Sequence, residues 1–171
     1  MKKIILFSLL SFFRVFSQDN STDVFLELRD SAFILKANYF YKIYENEKSR
    51  NNDSNHWKTY LQRRNDFFSN IYVINEYNYP IQIKNTNENY TFKEIDIFKS
   101  INKKVLRKGV NVWRCNSYIN DNRLIFIIGE RIVKYNNKEY TFGIVGSSTI
   151  IFQYSCEEKK WVLIKEEHTG I

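Results

Sequence analysis

The sequence predicts an α+β protein in which two to three N-terminal helices pack on a C-terminal antiparallel β-meander. Apolar residues recur at gaps of three and four through the first part of the chain, and after Gly109 they alternate with polar residues. Short turns rich in Asn and Gly separate the alternating runs. Helices and strands kept in separate stretches of the chain are the mark of an α+β architecture.

The first segment is set apart from the fold. Lys2 and Lys3 precede an apolar run from Ile4 to Phe13, and Val15 and Ser17 suit the two positions that a signal peptidase reads. Residues 1–17 are therefore expected to be a signal peptide that is removed on export, to the periplasm or outside the cell, leaving residues 18–171 as one domain. The run is too short for a transmembrane helix, which needs about 20 apolar residues.

From Thr22 to Glu47, Val24, Leu28, Ala32, Leu35, Tyr39 and Ile43 recur at helical spacing, with Phe25, Phe33, Phe40 and Tyr44 on the other sides. Such a helix is expected to be covered on more than one side. A polar turn then precedes a second helix carrying Trp57, Tyr60, Leu61, Phe67, Phe68 and Ile71. Two short runs, Ile71 to Ile74 and Ile81 to Lys84, flank Asn75, Asn78 and Pro80 and suit a hairpin or two short edge strands. A third helix is expected from the capping box of Thr91 and Glu94 to the stop at Gly109, with Phe92, Ile95, Phe98, Ile101, Val105 and Leu106 on its apolar half.

Beyond Gly109 the alternation marks six strands: Val110 to Ile119, Leu124 to Ile128, Ile132 to Tyr135, Tyr140 to Val145, Thr149 to Cys156 and Trp161 to Glu166. Gly129-Glu130, Asn136-Asn137-Lys138, Gly146-Ser147-Ser148 and Glu157 to Lys160 read as the hairpin turns between them. The order helix, helix, short hairpin, helix, meander resembles the NTF2-like cone fold in layout. That resemblance implies a pocket between a curved sheet and the helices, in a family that includes both small-molecule enzymes and non-catalytic binding domains.

The net charge of the whole chain is +7. Loss of Lys2, Lys3 and Arg14 with the signal lowers it to +4, 23 basic against 19 acidic side chains. This mild charge does not suit a nucleic-acid binder, and no nucleic-acid partner is expected. Two cysteines in an oxidising compartment, Cys115 and Cys156, are expected to form a disulfide. Lys103, Lys104, Arg107 and Lys108 form a candidate anion-binding surface, although cations in a helix's last turn also stabilise it through the helix dipole.

Signals of catalysis are thin. No Gly-rich phosphate loop, HExxH helix, CxxC pair or GxSxG elbow occurs, so no catalytic, cofactor-binding or metal-binding residue is assigned and no cofactor is expected. His56 and His168 have no partner at a recognisable spacing and read as surface residues. Asp96, Asp121 and Glu130 are the carboxylates whose convergence would create an acid-base site. The aromatic residues, 17% of the chain, read as core with some lining a pocket. The expected function is an exported, non-catalytic domain that binds a small apolar ligand or a partner protein. The alternatives are an NTF2-like small-molecule enzyme with acid-base residues in a cone-shaped pocket, and an inhibitor or immunity-like interaction protein.

Overall fold

The fold is given by a computed structural model, which describes residues 22–50, 54–74, 83 and 88–170 in full and residues 2–21 as helical backbone. The expected signal peptide and, apart from Ile83, the expected strand Ile81 to Lys84 lie outside the fully described residues. Helix α1 (Lys2–Lys48) precedes α2 (Asn55–Phe68), then strands β1 (Ile71–Ile74) and β2 (Phe92–Ile95). A 3-10 turn (Ser100–Asn102) leads into the one-turn helix α3 (Lys103–Leu106), and β3 (Val110–Asn120), β4 (Arg123–Asn136), β5 (Glu139–Ser155) and β6 (Lys160–Thr169) complete the chain. The protein is α+β, with helices ahead of a six-stranded, mostly antiparallel sheet ordered β2-β1-β3-β4-β5-β6.

The two long helices form where periodicity places them. On α1, Ala32, Phe33, Lys36, Ala37, Phe40 and Tyr44 make one buried stripe at gaps of one, three and four, which lies over the sheet. Ser54 starts α2 by accepting the Trp57 N–H on its hydroxyl at 3.2 Å. Tyr60 ties the two helices together by donating its hydroxyl to Glu47 at 2.6 Å.

The expected third helix does not form over most of its length. Phe92 to Ile95 instead extends as β2, parallel to β1, with Ile71 opposite Phe92 and Ile74 opposite Ile95. Backbone pairing to β1 satisfies the groups that a capping box would have served, and Ile95 and Ile97, two residues apart, both enter the same buried cluster. Asp96 accepts the Phe98 N–H at 3.0 Å in the turn that ends the strand. Gly109, at φ +80°, reverses the chain after α3 as expected of a glycine following a helix.

The meander is antiparallel from β3 to β6, but its six expected strands are four. Gly129-Glu130 and Gly146-Ser147-Ser148 are not turns. They lie opposite one another within the β4–β5 ladder, where Glu130 pairs with Gly146 and Arg131 with Ile144, leaving Val145 as a bulge. A Cβ on Gly146 would run into the carbonyl oxygens of Thr169 and Gly170, so glycine here permits close approach of the end of β6. The bulge reverses which side β5 presents: Ser148, Ile150 and Phe152 face α1, whereas Tyr140 packs on the far side of the sheet.

Two cores result. The larger lies between the sheet and α1 and contains Phe33, Phe40, Phe68, Val73, Trp113, Phe126, Ile128 and Ile150. The smaller lies on the opposite face, where α3 supplies Leu106 to Ile95, Ile97, Val110, Val112 and Val133. Where the NTF2-like resemblance implies a pocket between sheet and helix, the described side chains Phe33, Lys36, Trp113 and Phe126 are fully buried against one another's elements.

The expected disulfide is absent: Cys115 and Cys156 are not joined. Cys115 is opposite Ile128, which is opposite Ser148, and Cys156 lies beyond the end of β5 in the turn before β6. That places the two roughly 25 Å apart along the strands, at about 3.3 Å per residue, far outside the reach of about 4.4–6.8 Å between Cα atoms that a bridge requires. The alternation that placed both on apolar faces holds for the half-buried Cys115 on β3, whereas Cys156 is exposed in the turn after β5, with β4 between the two strands.

Candidate functional site

Among the described residues, three groups of polar side chains stand out. The first is buried beneath α1. Lys36 belongs to the apolar stripe of the helix, with its side chain fully buried. Its ammonium donates to the Ile128 carbonyl at 3.2 Å, lies 3.9 Å from the Glu130 carboxylate, and sits over the rings of Trp113 and Phe40 at 4.8 and 5.1 Å. Glu130, also buried, accepts the side-chain amide of Asn111. Burial pushes the Lys36 amine down to about 8, opposed by the nearby Glu130 charge.

The sign of the resulting pH dependence follows directly. Between about pH 8 and the ordinary lysine value of 10.5, the unfolded chain holds a proton at this site that the folded protein has shed. Stability is therefore expected to rise with pH across that window, by up to roughly 3 kcal/mol. Urea unfolding from neutral pH to about pH 10 should show the rise in the wild type and lose it in Lys36→Met. Tyr41 and Tyr60, whose hydroxyls burial pushes up, act in the opposite sense at the top of the range, so the difference between the two proteins is the informative quantity.

The second group joins β5, β6 and α1. The ring of His168 stacks on Tyr39, with centroids 3.7 Å apart and planes 13° from parallel. Its Nδ1 lies 2.8 Å from the Ser148 hydroxyl and its Nε2 lies 2.9 Å from Glu166. These distances suit a Ser148 hydroxyl donating to Nδ1 and an Nε2–H donating to the carboxylate. A serine, an imidazole and a carboxylate in a row resemble a nucleophile with its base and orienting acid. Ser148, however, is 0% exposed, in mid-strand opposite Ile128 and His168, so no substrate carbonyl can reach its hydroxyl. The row secures β6 to β5 and to the helix above them.

The third group is on the surface. The cations singled out in the sequence stand in and after α3: Lys103 is half-buried with its ammonium 5.0 Å from the centre of the Tyr135 ring, and Lys104, Arg107 and Lys108 are exposed. Because α3 is a single turn, the dipole explanation for these cations loses most of its force. Beside them Phe98 is 69% and Ile101 80% exposed. Phe98 meets Tyr140 edge to face at 5.5 Å, and Tyr140 packs on Tyr135 at 4.8 Å. A depression of about 340 Å³ lined by Arg107, Tyr135, Asn136, Asn137 and Lys138 opens between this turn and the β4–β5 hairpin tip.

The other expected site residues are scattered. Asp121 occupies the β3–β4 turn at φ 54°, and Asp96 follows β2, three strand spacings (about 14 Å) across the sheet from Glu130. The three carboxylates do not converge. His56 is exposed at the start of α2, as expected, whereas His168 is not the surface residue expected, its side chain being only 6% exposed. Among the described residues, no three His, Cys, Asp or Glu side chains gather as metal ligands, and no helix is long and apolar enough to cross a membrane.

Lys36 and Ser148 escaped the sequence reading, and Glu130 entered it as one of three carboxylates and not as the partner of Lys36. The available signal for Lys36 was its place between Phe33 and Phe40 in a helical stripe, where a cation needs a partner. For His168 it was sharing alternation with Glu166 on the last strand. Comparison with protein-family models, with curated proteins and with solved structures finds no match for this chain.

Proposed function

We propose that the chain is an exported, non-catalytic interaction domain that binds its target on an exposed apolar and basic surface at the α3 end of the sheet. The observation that carries this reading is the exposure of Phe98 and Ile101 among Lys99, Lys103, Lys104, Arg107 and Lys108. Large apolar side chains exposed together, and rimmed by charge, favour a binding surface. Close packing of Phe33, Lys36, Trp113 and Phe126 beneath α1 argues against a small apolar ligand held between helix and sheet. The enzyme alternative rests best on Ser148, His168 and Glu166, and the burial of Ser148 weighs against it. Export is supported by Lys2, Lys3 and the apolar run after them.

Anilinonaphthalene sulfonate, an anionic aromatic dye, reports such a surface. The folded protein should enhance its fluorescence, and Phe98→Ser with Ile101→Ser should remove more than half of the enhancement without changing the circular dichroism. An unchanged signal in the double variant would overturn the surface assignment. For export, the mass of the protein released by its own host should correspond to a chain starting near Gln18, and a product retaining Met1 would refute it.

A further inference from the structure

Resting on the surface reading above, we propose that the target of the α3 end is the face of an anionic phospholipid bilayer, with Phe98 and Ile101 entering the headgroup layer. The two side chains project from the turn around Ser100–Asn102, and from residue 96 to residue 108 the chain carries five cations against one acid, Asp96. Apolar tips backed by Lys and Arg are the chemistry of interfacial insertion: the tips leave water while the cations remain at the level of the lipid phosphates. Asp96 takes little from this charge, since its 3.8 Å pair with Lys99 is exposed on both sides.

The tip is also braced. Phe98 rests on Tyr140 and Lys103 on Tyr135, so the apolar side chains are presented by a packed part of the second core. The apolar surface continues along β5, where Phe142 (46% exposed) and Ile144 (83%) share the side of Tyr140. The depression beside it is lined by Arg107 and Lys138 together with Tyr135, Asn136 and Asn137, a set of donors suited to a phosphate headgroup. An acidic protein is the less favoured target, because lysine is depleted from protein–protein interfaces whereas this surface is dominated by it.

The test uses the protein in the form its host releases, sedimented with vesicles of phosphatidylcholine alone or with one part in three phosphatidylglycerol. Binding to the anionic vesicles should be roughly tenfold stronger and should weaken as salt is added. Phe98→Ser with Ile101→Ser should reduce it roughly tenfold. Lys104→Glu with Lys108→Glu, which leaves the apolar tip intact, should abolish the preference for anionic lipid. Equal binding to both kinds of vesicle, or no effect of either double variant, would overturn the proposal. So would tighter binding to polyglutamate that is insensitive to Phe98 and Ile101, which would assign the surface to an acidic protein. Failure on vesicles with dye binding retained overturns the membrane target alone, whereas dye binding unaffected by the Phe98 and Ile101 variant removes the surface reading as well.

Discussion

Lys36→Met is expected to lower the stability of the protein at neutral pH by about 3–5 kcal/mol, the range for removing one partner of a buried ion pair. Methionine fits the space between Phe40 and Trp113, so the loss arises from Glu130 and not from a cavity. The carboxylate is buried and, without Lys36, keeps the hydrogen bond from the Asn111 amide but has lost its neutralising cation. The double variant Lys36→Met, Glu130→Leu should recover most of the loss, to within about 1 kcal/mol of wild type or above it, because well-packed apolar groups replace a buried pair without penalty. Glu130→Gln should cost less than Lys36→Met. With its amine already near 8, Lys36 can shed its proton at neutral pH for about 1.4 kcal/mol, which limits the damage. Chemical denaturation of the wild type, Lys36→Met, Glu130→Leu and their double variant completes a double-mutant cycle, and additive losses would show that the two side chains do not interact.

Trp113→Ala should be comparably severe, at about 3–5 kcal/mol. The indole is 0% exposed and joins four elements: it lies 6.2 Å from Phe40 of α1, 6.0 Å from Phe67 of α2 and 6.1 Å from Phe92 of β2, and is itself part of β3. Alanine would open a void that helices anchored elsewhere cannot close. It would also remove a ring face from the Lys36 ammonium, so the loss should not add to that of Lys36→Met. Trp113→Phe should cost no more than about 1–2 kcal/mol, because the indole N–H has no hydrogen-bond partner among the described residues and its removal relieves a buried unsatisfied donor. Equal destabilisation by Ala and Phe, measured by thermal unfolding, would show that the N–H matters more than the packing.

Local patterns were enough for α1, α2 and the antiparallel meander. In each, the residues that define the period also bury one another or a single neighbouring layer, as Ala32, Phe33, Phe40 and Tyr44 do on α1. The segment from Phe92 to Leu106 shows the opposite. Its apolar residues fit a helical wheel, but β1 offers it a strand to pair with, and the pairing leaves Phe98 and Ile101 exposed instead of covered. That outcome created the candidate binding surface, so the cations were visible in the sequence while their apolar companions were assigned to a core.

Sequence alone determined that two helices precede an antiparallel meander, the alternation that builds it, the turns at Asn136-Asn137-Lys138 and Glu157 to Lys160, and the reversal at Gly109. These depend on period and on residues with restricted backbone choices, both of which act over a few neighbours. Tertiary structure decided that β2 replaces most of a helix, that six runs become four strands through the bulge at Val145, and that Cys115 and Cys156 stay apart. It also decided that Lys36 is buried against Glu130 and His168 against Tyr39. Each of these outcomes depends on a partner tens of residues away, and the free energy of that pairing outweighs the local preference of the segment that yields to it.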